Sequence, residues 1–181
     1  EVQVFGALSQ GGGGDRLLCL PGTHSKWVSC RDDAILTFAT AMTGEAFDIM
    51  RQHSILKLSM EAEAAAAVDE ESFDAGVGAS KTAGGLLNQL FGVRALDLSG
   101  ADRPGSMRDY LSGLLIGSEV GAMQGLFPHQ STITLIGADA LAGRYARALR
   151  SCGIAAESLT SEVVTVQGLV ALSKIVNWPG E

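Results

Sequence analysis

LLCLPGTHSKWVSCRDDAILTFAT, residues 17–40, holds three short apolar runs separated by two turns. Leu17 to Leu20 reads as a short buried strand, closed by Pro21-Gly22. Lys26 to Cys30 and Ile35 to Thr40 read as two further strands, with Arg31-Asp32-Asp33 as the turn between them. The stretch predicts an antiparallel three-stranded meander. Upstream, Val2 to Leu8 reads as the end of a helix. Gln10 to Asp15 (QGGGGD) is a glycine tract that follows no strand and precedes no helix. That context argues against a phosphate loop and for a flexible surface loop.

Downstream, Thr43-Gly44-Glu45 opens a helix expected to run to about Leu58, with Thr43 as N-cap. Glu61 to Glu71 (EAEAAAAVDEE) is acidic and alanine-rich, a solvated helix of high propensity. Phe73 to Leu126 reads as helical pieces broken near Gly100 and Pro104-Gly105. Within it Gly113, Gly117, Gly121 and Gly125 recur every four residues along one helical ridge. Helix-on-helix packing is the plainer explanation of that ridge, and direct ligand contact the other. Thr132 to Ile136 is a β-branched strand ending in Gly137. Asp139 to Ser151 is an amphipathic helix, with Leu141, Tyr145 and Leu149 on one face and Arg144, Arg147 and Arg150 on another. Gly153 stops it, a weak strand spans Ala155 to Leu159, and a last helix covers Val163 to Val176. Meander, helix, helical insert, strand, helix, strand, helix is the order of an α/β, ribonuclease H-like (actin-like ATPase) domain, whose mixed sheet is flanked by helices. The expected parts are 1–16 (helix end and glycine loop), 17–60 (meander and first helix), 61–130 (helical insert) and 131–181 (β-α-β-α completion).

The bulk numbers narrow the function. With 46% hydrophobic and 18% charged residues among 181, the chain is globular in composition. A net charge of -7 without a Lys/Arg cluster argues against nucleic acid as a partner. No apolar run approaches a membrane span, and no signal peptide precedes the domain. Cys19, Cys30 and Cys152 are widely spaced, so reduced thiols and a cytoplasmic location are expected. His24, His53 and His129 lack metal-ligand spacing, and neither a GxSxG nor a Cys/His arrangement is present. The chain opens at Glu1 inside a patterned segment without a methionine, as a fragment or a processed protein would.

Two places have the makings of a nucleotide site. Pro21-Gly22-Thr23-His24-Ser25-Lys26 offers close backbone approach, two hydroxyls and positive charge, the parts of a phosphate clamp. A tight polar turn uses the same residue types. Gly137-Ala138 joins a strand to a helix N-terminus, a place where a nucleotide can lie against backbone, although many such turns use glycine for geometry alone.

Taken together, EVQVFGA (1–7), PGTHSKWV (21–28), MTGE (42–45), HSIL (53–56), LFGVRA (90–95), YLSGLLIGSEVGAM (110–123) and TLIGADALAGRY (134–145) resemble the 2-dehydro-3-deoxygalactonokinase family. The resemblance implies transfer of the ATP γ-phosphate, with Mg2+, to a sugar acid, 2-dehydro-3-deoxy-galactonate. It implies that Gly22, Thr23, His24, Ser25 and Lys26 cradle the β- and γ-phosphates and that Gly137-Ala138 flank the adenosine. The catalytic carboxylate would be Glu1 or lie just before it, and Arg94 is the candidate cation for the substrate carboxylate, unless it only pairs with Asp97. The family's amino-terminal half, with its Asp-x-Gly-x-Thr hairpin, has no counterpart here. The chain is thus expected to be the nucleotide-binding carboxy-terminal half, with the amino-terminal half of the same protein as its partner. Alternatives are a kinase of the same superfamily acting on another sugar or keto acid, and a non-catalytic binding remnant of the fold. A homodimer burying the glycine ridge stays open.

Overall fold

The structure is a computed structural model that describes residues 2–11, 13–60, 67–100, 104–128 and 132–174. The strands are β1 (Asp15–Leu20), β2 (Ser25–Arg31), β3 (Ala34–Ala41), β4 (Thr132–Gly137) and β5 (Ala155–Thr160). They form one sheet in the order β3-β2-β1-β4-β5. The meander pairs are antiparallel, whereas β4 joins β1 and β5 joins β4 in parallel. The helices are α1 (Val2–Ser9), α2 (Thr43–His53), α3 (Glu70–Ser80), α4 (Gly85–Ser99), α5 (Met107–Leu126), α6 (Asp139–Ser151) and α7 (Ser161–Ser173). A mixed sheet with helices on both faces is the expected ribonuclease H-like arrangement.

The unbroken run in β1 has a direct cause. Successive side chains of a strand point to opposite faces, and both faces here are covered. Leu17 and Cys19 join Trp27, Ile133 and Leu135 against Phe73 of α3, Ile116 of α5 and Tyr145 of α6. Leu18 and Leu20 join Val28, Cys30 and Ile136 against Val4 and Leu8 of α1 and Val164 of α7. A third cluster joins Leu56, Val93 of α4, and Leu111 and Leu114 of α5, so the insert has a core of its own.

Glycines set how closely the helices approach. A Cβ on Gly113 would lie 2.0 Å from the Phe73 carbonyl oxygen, and one on Gly76 would lie 2.0 Å from that of Tyr110, so α3 and α5 touch backbone to backbone. Gly117 also abuts α3 at Val77, whereas a Cβ on Gly121 or Gly125 would meet nothing within 4 Å. The four-residue ridge is therefore a packing device over its first half only. The same close crossing joins α1 to α7: a Cβ on Gly6 would overlap the Val164 carbonyl, and one on Gly168 would lie 2.0 Å from that of Val2.

Several boundaries differ from the sequence expectation. Thr43 is the first residue of α2 rather than its cap; Met42 holds the cap position without a side-chain hydrogen bond. The helix stops at His53, because Ser54 is extended (φ -107°, ψ 175°) and caps a separate 3-10 turn, Ile55–Ser59. Of the acidic alanine-rich stretch, residues 61–66 lie outside the described residues; residues 67–69 are not helical, and α3 begins at Glu70, capped by the Asp69 carboxylate on the Ser72 amide. An unforeseen break separates α3 from α4, where Gly84 and Gly85 adopt φ of 113° and 74°, values that side chains other than glycine resist. Gly11, Gly13 and Gly14 before β1 are exposed, and the segment is held at its ends: the Gly14 amide donates to the Asp32 carboxylate, and Arg16 donates to the Ala7 and Gly11 carbonyls. The last helix starts two residues early, and Ile175 and Val176 lie outside the described residues, as does His129.

All three cysteines are unpaired. Burial pushes the Cys19 thiol well up, and the Glu119 carboxylate adds to this; burial also raises Cys30. Thiolate is the reactive form. A thiol reagent should therefore titrate Cys152, which is partly exposed, in the native chain, and Cys19 and Cys30 only in denaturant. Rapid native labelling of all three would contradict this packing. Among the described residues no helix is long and apolar enough to cross a membrane.

Candidate functional site

Because β1 and β4 are parallel neighbours, the turns leaving them emerge at the same end of the sheet. Pro21–His24 leaves β1, and Ala138 leads from β4 into α6. They nearly touch, since a Cβ on Gly137 would sit 3.5 Å from Cδ of Pro21. Between them lies a cavity of about 600 Å3, within the range of small-molecule sites. Pro21, Gly22 and Thr23 form one wall, and Thr43, Gly44, Phe47 and Asp48 of α2 another. Ser112, Leu115 and Ile116 of α5 and Leu141 and Tyr145 of α6 supply a largely apolar remainder, with Arg108, Asp109 and Arg144 at one side.

The start of α2 is pressed onto the hairpin. The Glu45 amide donates to the Thr23 carbonyl at 3.0 Å. A Cβ on Gly44 would lie 2.6 Å from the Gly22 carbonyl oxygen and 2.7 Å from Cα of Thr23, so this approach needs glycine. Above Gly22 itself there is room, its nearest neighbour being the His24 carbonyl at 3.9 Å. Neither α2 nor α6 has a side-chain cap at its amino end. In α2 the Glu45 amide is taken by the Thr23 carbonyl, which leaves the Thr43 and Gly44 amides, with those of the first turn of α6, without an intrahelical acceptor beside the cavity.

The cationic side is held from behind. Asp109, fully buried, accepts hydrogen bonds from the Asp69 amide at 2.8 Å, Arg144 at 2.5 Å and Arg108 at 3.3 Å. Burial pushes its carboxyl up, but the Asp69 amide and the two guanidinium groups outweigh this and leave it below the ordinary carboxylate range. Arg144 also lies over the Phe73 ring, 5.4 Å from its centroid.

The structure brings Gly22, Thr23 and Ala138 into this one cavity, with Gly137 directly behind. His24 stands outside its lining, paired with Glu45 at 2.5 Å. Ser25 is fully buried, its hydroxyl turned inward to the Glu119 carboxylate and the Ala41 carbonyl. Strand alternation points Lys26 to the opposite face of the sheet from Ser25 and Trp27. Arg94 lies apart from the cavity, bonded to Asp97 at 2.7 Å and to Ser59 at 3.2 Å. Glu1 lies outside the described residues. Sequence reading missed Gly44, Asp109, Glu119 and Arg144. Asp109 and Glu119 stand out in the sequence only as the two acidic residues of α5, which assigns them no role.

The sequence profile of the 2-keto-3-deoxy-galactonokinase family matches residues 1–172. The chain is 36% identical over 181 residues to a probable 2-dehydro-3-deoxygalactonokinase of Rhizobium meliloti (strain 1021), covering 99% of this chain and 58% of that protein. It is 31% identical over 176 residues to the 2-dehydro-3-deoxygalactonokinase of Escherichia coli (strain K12), covering 97% and 59% respectively. It thus spans about three fifths of the length of these curated relatives. A crystal structure of a protein assigned as a 2-dehydro-3-deoxygalactonokinase from Sinorhizobium meliloti superposes with a TM-score of 0.86 at 35% identity, over 99% of this chain and 60% of the other. The activator of 2-hydroxyisocaproyl-CoA dehydratase from Clostridium difficile shares the fold alone, with a TM-score of 0.56 at 13% identity over 99% of this chain and 70% of that one.

Proposed function

The chain belongs to the 2-keto-3-deoxy-galactonokinase family, and on that footing we propose that it is the nucleotide-binding part of an ATP-dependent kinase acting on 2-dehydro-3-deoxy-galactonate. The observation that carries the reading is the single cavity joining the Gly22-Thr23 hairpin to Ala138 at the head of α6. Its chemistry fits a nucleotide. An apolar wall of Phe47, Leu115, Ile116 and Leu141 suits a flat base, and two uncapped helix starts and a hairpin with room above Gly22 suit phosphate oxygens.

Within this reading Gly22 and Thr23 meet the terminal phosphates and Gly137-Ala138 flank the adenosine. His24 and Lys26 stand outside the cavity lining, and Ser25 acts through its backbone. Magnesium enters as the ion that ATP carries on its phosphates; no protein ligand is assigned to it. The step itself is attack of a sugar-acid hydroxyl oxygen on the γ-phosphorus. The bond to the β-γ bridging oxygen breaks, ADP leaves, and a carboxylate (Glu1 or one preceding it) accepts the hydroxyl proton. The remaining part of the kinase, its amino-terminal half, supplies most of the sugar-acid pocket, and closure of the two halves excludes water. The nucleotide cavity does not carry a substrate role for Arg94, whose guanidinium lies outside it, bonded to Asp97 and Ser59. The cytoplasm is its place of work, with the cysteines reduced.

The purified chain is expected to bind ATP and ADP weakly by titration calorimetry and to show no turnover. Gly44→Ala should weaken that binding about tenfold, because the added methyl would overlap the Gly22 carbonyl and push the hairpin off α2, a loss on the order of one hydrogen bond. Equal affinity of Gly44→Ala and the unsubstituted chain would remove the hairpin from the site. In the full-length enzyme, ADP release across a panel of sugar acids identifies the acceptor.

A further inference from the structure

Glu119 lies in the middle of α5 with 5% of its surface exposed, and its carboxylate takes three donors. Ser25 Oγ donates at 2.5 Å and Trp27 Nε1 at 2.6 Å to one oxygen, and the Tyr145 hydroxyl donates at 2.7 Å to the other. A charge in an apolar core costs several kcal/mol even when paired, and a well-packed apolar residue fills such a place at lower cost. Stability alone therefore does not account for it.

What an apolar side chain cannot supply is direction. Ser25 is the first residue of β2, directly after the hairpin turn, and Tyr145 lines the cavity from α6. One carboxylate between them fixes the spacing between the hairpin and the helix whose amino end begins at the other side of the cavity. Trp27 offers only a donor, so the arrangement demands an acceptor at this point. A ligand bridging hairpin and α6 then finds both already in place, which lowers the ordering cost of binding.

We propose that Glu119 is a positioning residue for the nucleotide, holding the Gly22-Thr23 hairpin and α6 at the spacing that one ATP bridges. The claim rests on the nucleotide reading above. It requires no contact between Glu119 and the ligand.

The test uses Trp178→Phe as the parent, which leaves Trp27 as the sole reporter of the two tryptophans. Glu119→Leu removes the acceptor, Glu119→Gln keeps an acceptor oxygen for Ser25 and Trp27, and Ser25→Ala removes one spoke without altering the cavity lining. ADP affinity, hydrogen exchange of the hairpin amides and Trp27 emission are read for each. Glu119→Leu and Ser25→Ala should raise the ADP Kd about tenfold and hairpin exchange by a similar factor, and Glu119→Leu should shift Trp27 emission. Glu119→Gln should restore ADP affinity to within about threefold of the parent. A purely structural Glu119 would lower the thermal midpoint while leaving ADP affinity within twofold, and that result overturns the proposal. If Glu119→Leu does not fold, Ser25→Ala against Glu119→Gln decides it. Failure of the parent itself to bind ADP defeats the nucleotide reading, and this role with it; parent binding with unaffected variants defeats the role alone.

Discussion

Gly113→Ala is expected to destabilise the chain by about 3 kcal/mol, while Gly121→Ala, two turns further along the same helix, should stabilise it by up to about 1 kcal/mol. Both changes improve helix propensity by the same amount. They differ in what the methyl meets. At Gly113 it lies 2.0 Å from the Phe73 carbonyl oxygen, a backbone atom that no rotamer change can move. The α3 and α5 backbones must separate by about an ångström, loosening the contacts of Phe73 and Val77 with the sheet-facing core. At Gly121 the methyl meets nothing within 4 Å. For a chain of this size the Gly113→Ala loss corresponds to a midpoint lower by roughly 10 °C. Urea or thermal unfolding of the two variants side by side checks the pair; similar midpoints would refute the close α3–α5 packing.

Asp109→Asn should be nearly as costly, about 2–3 kcal/mol at neutral pH. The carboxylate is the shared acceptor for the Asp69 amide, Arg144 and Arg108, and both arginines are themselves largely covered. An amide there removes the negative charge that both guanidinium groups face, and one of its two ends presents N–H groups to other donors. The pH dependence has a definite sign. The folded-state carboxyl is held below its ordinary value of 3.8, so its contribution is present above that value and is lost as pH falls through the lower, folded one. The stability gap between parent and Asp109→Asn should therefore be widest near neutrality and narrow in acid. A gap independent of pH would assign the loss to packing instead of charge. Because Arg144 lines the cavity, the same variant should also weaken ADP binding.

The sheet was legible in the sequence for a physical reason. Strands covered on both faces carry unbroken apolar runs such as Leu17–Leu20, and their ends coincide with Pro21-Gly22 and Gly137. The amphipathic helix Asp139–Ser151 was legible because one face is core and the other arginine-rich. The end of α2 and the start of α3 were not, since propensity favours helix across Ser54 and into Glu70 without a stop, while capping by Ser54 and Asp69 decides where the next helical turn begins. For the site, the two turns could be read because each carries its own glycine signature. Gly44, Asp109 and Glu119 could not be assigned, since their meaning lies in what faces them across the fold, and local sequence says nothing about partners 20 to 90 residues distant. Ser25 and Lys26 show the converse: residue type suggested phosphate, whereas strand alternation turns one side chain into the core and the other to the far face.

The crossing of α1 and α7 at Gly6 and Gly168 has a consequence for synthesis. These two helices together roof one side of the sheet, yet nearly the whole chain separates them. As the polypeptide emerges from the ribosome, the meander can pair early, but Leu18, Leu20, Val28 and Cys30 keep only half their shelter until the last helix arrives. Nascent chains stalled before residue 161 should for that reason be sticky and protease-sensitive, with this face of the sheet left open until α7 has been made.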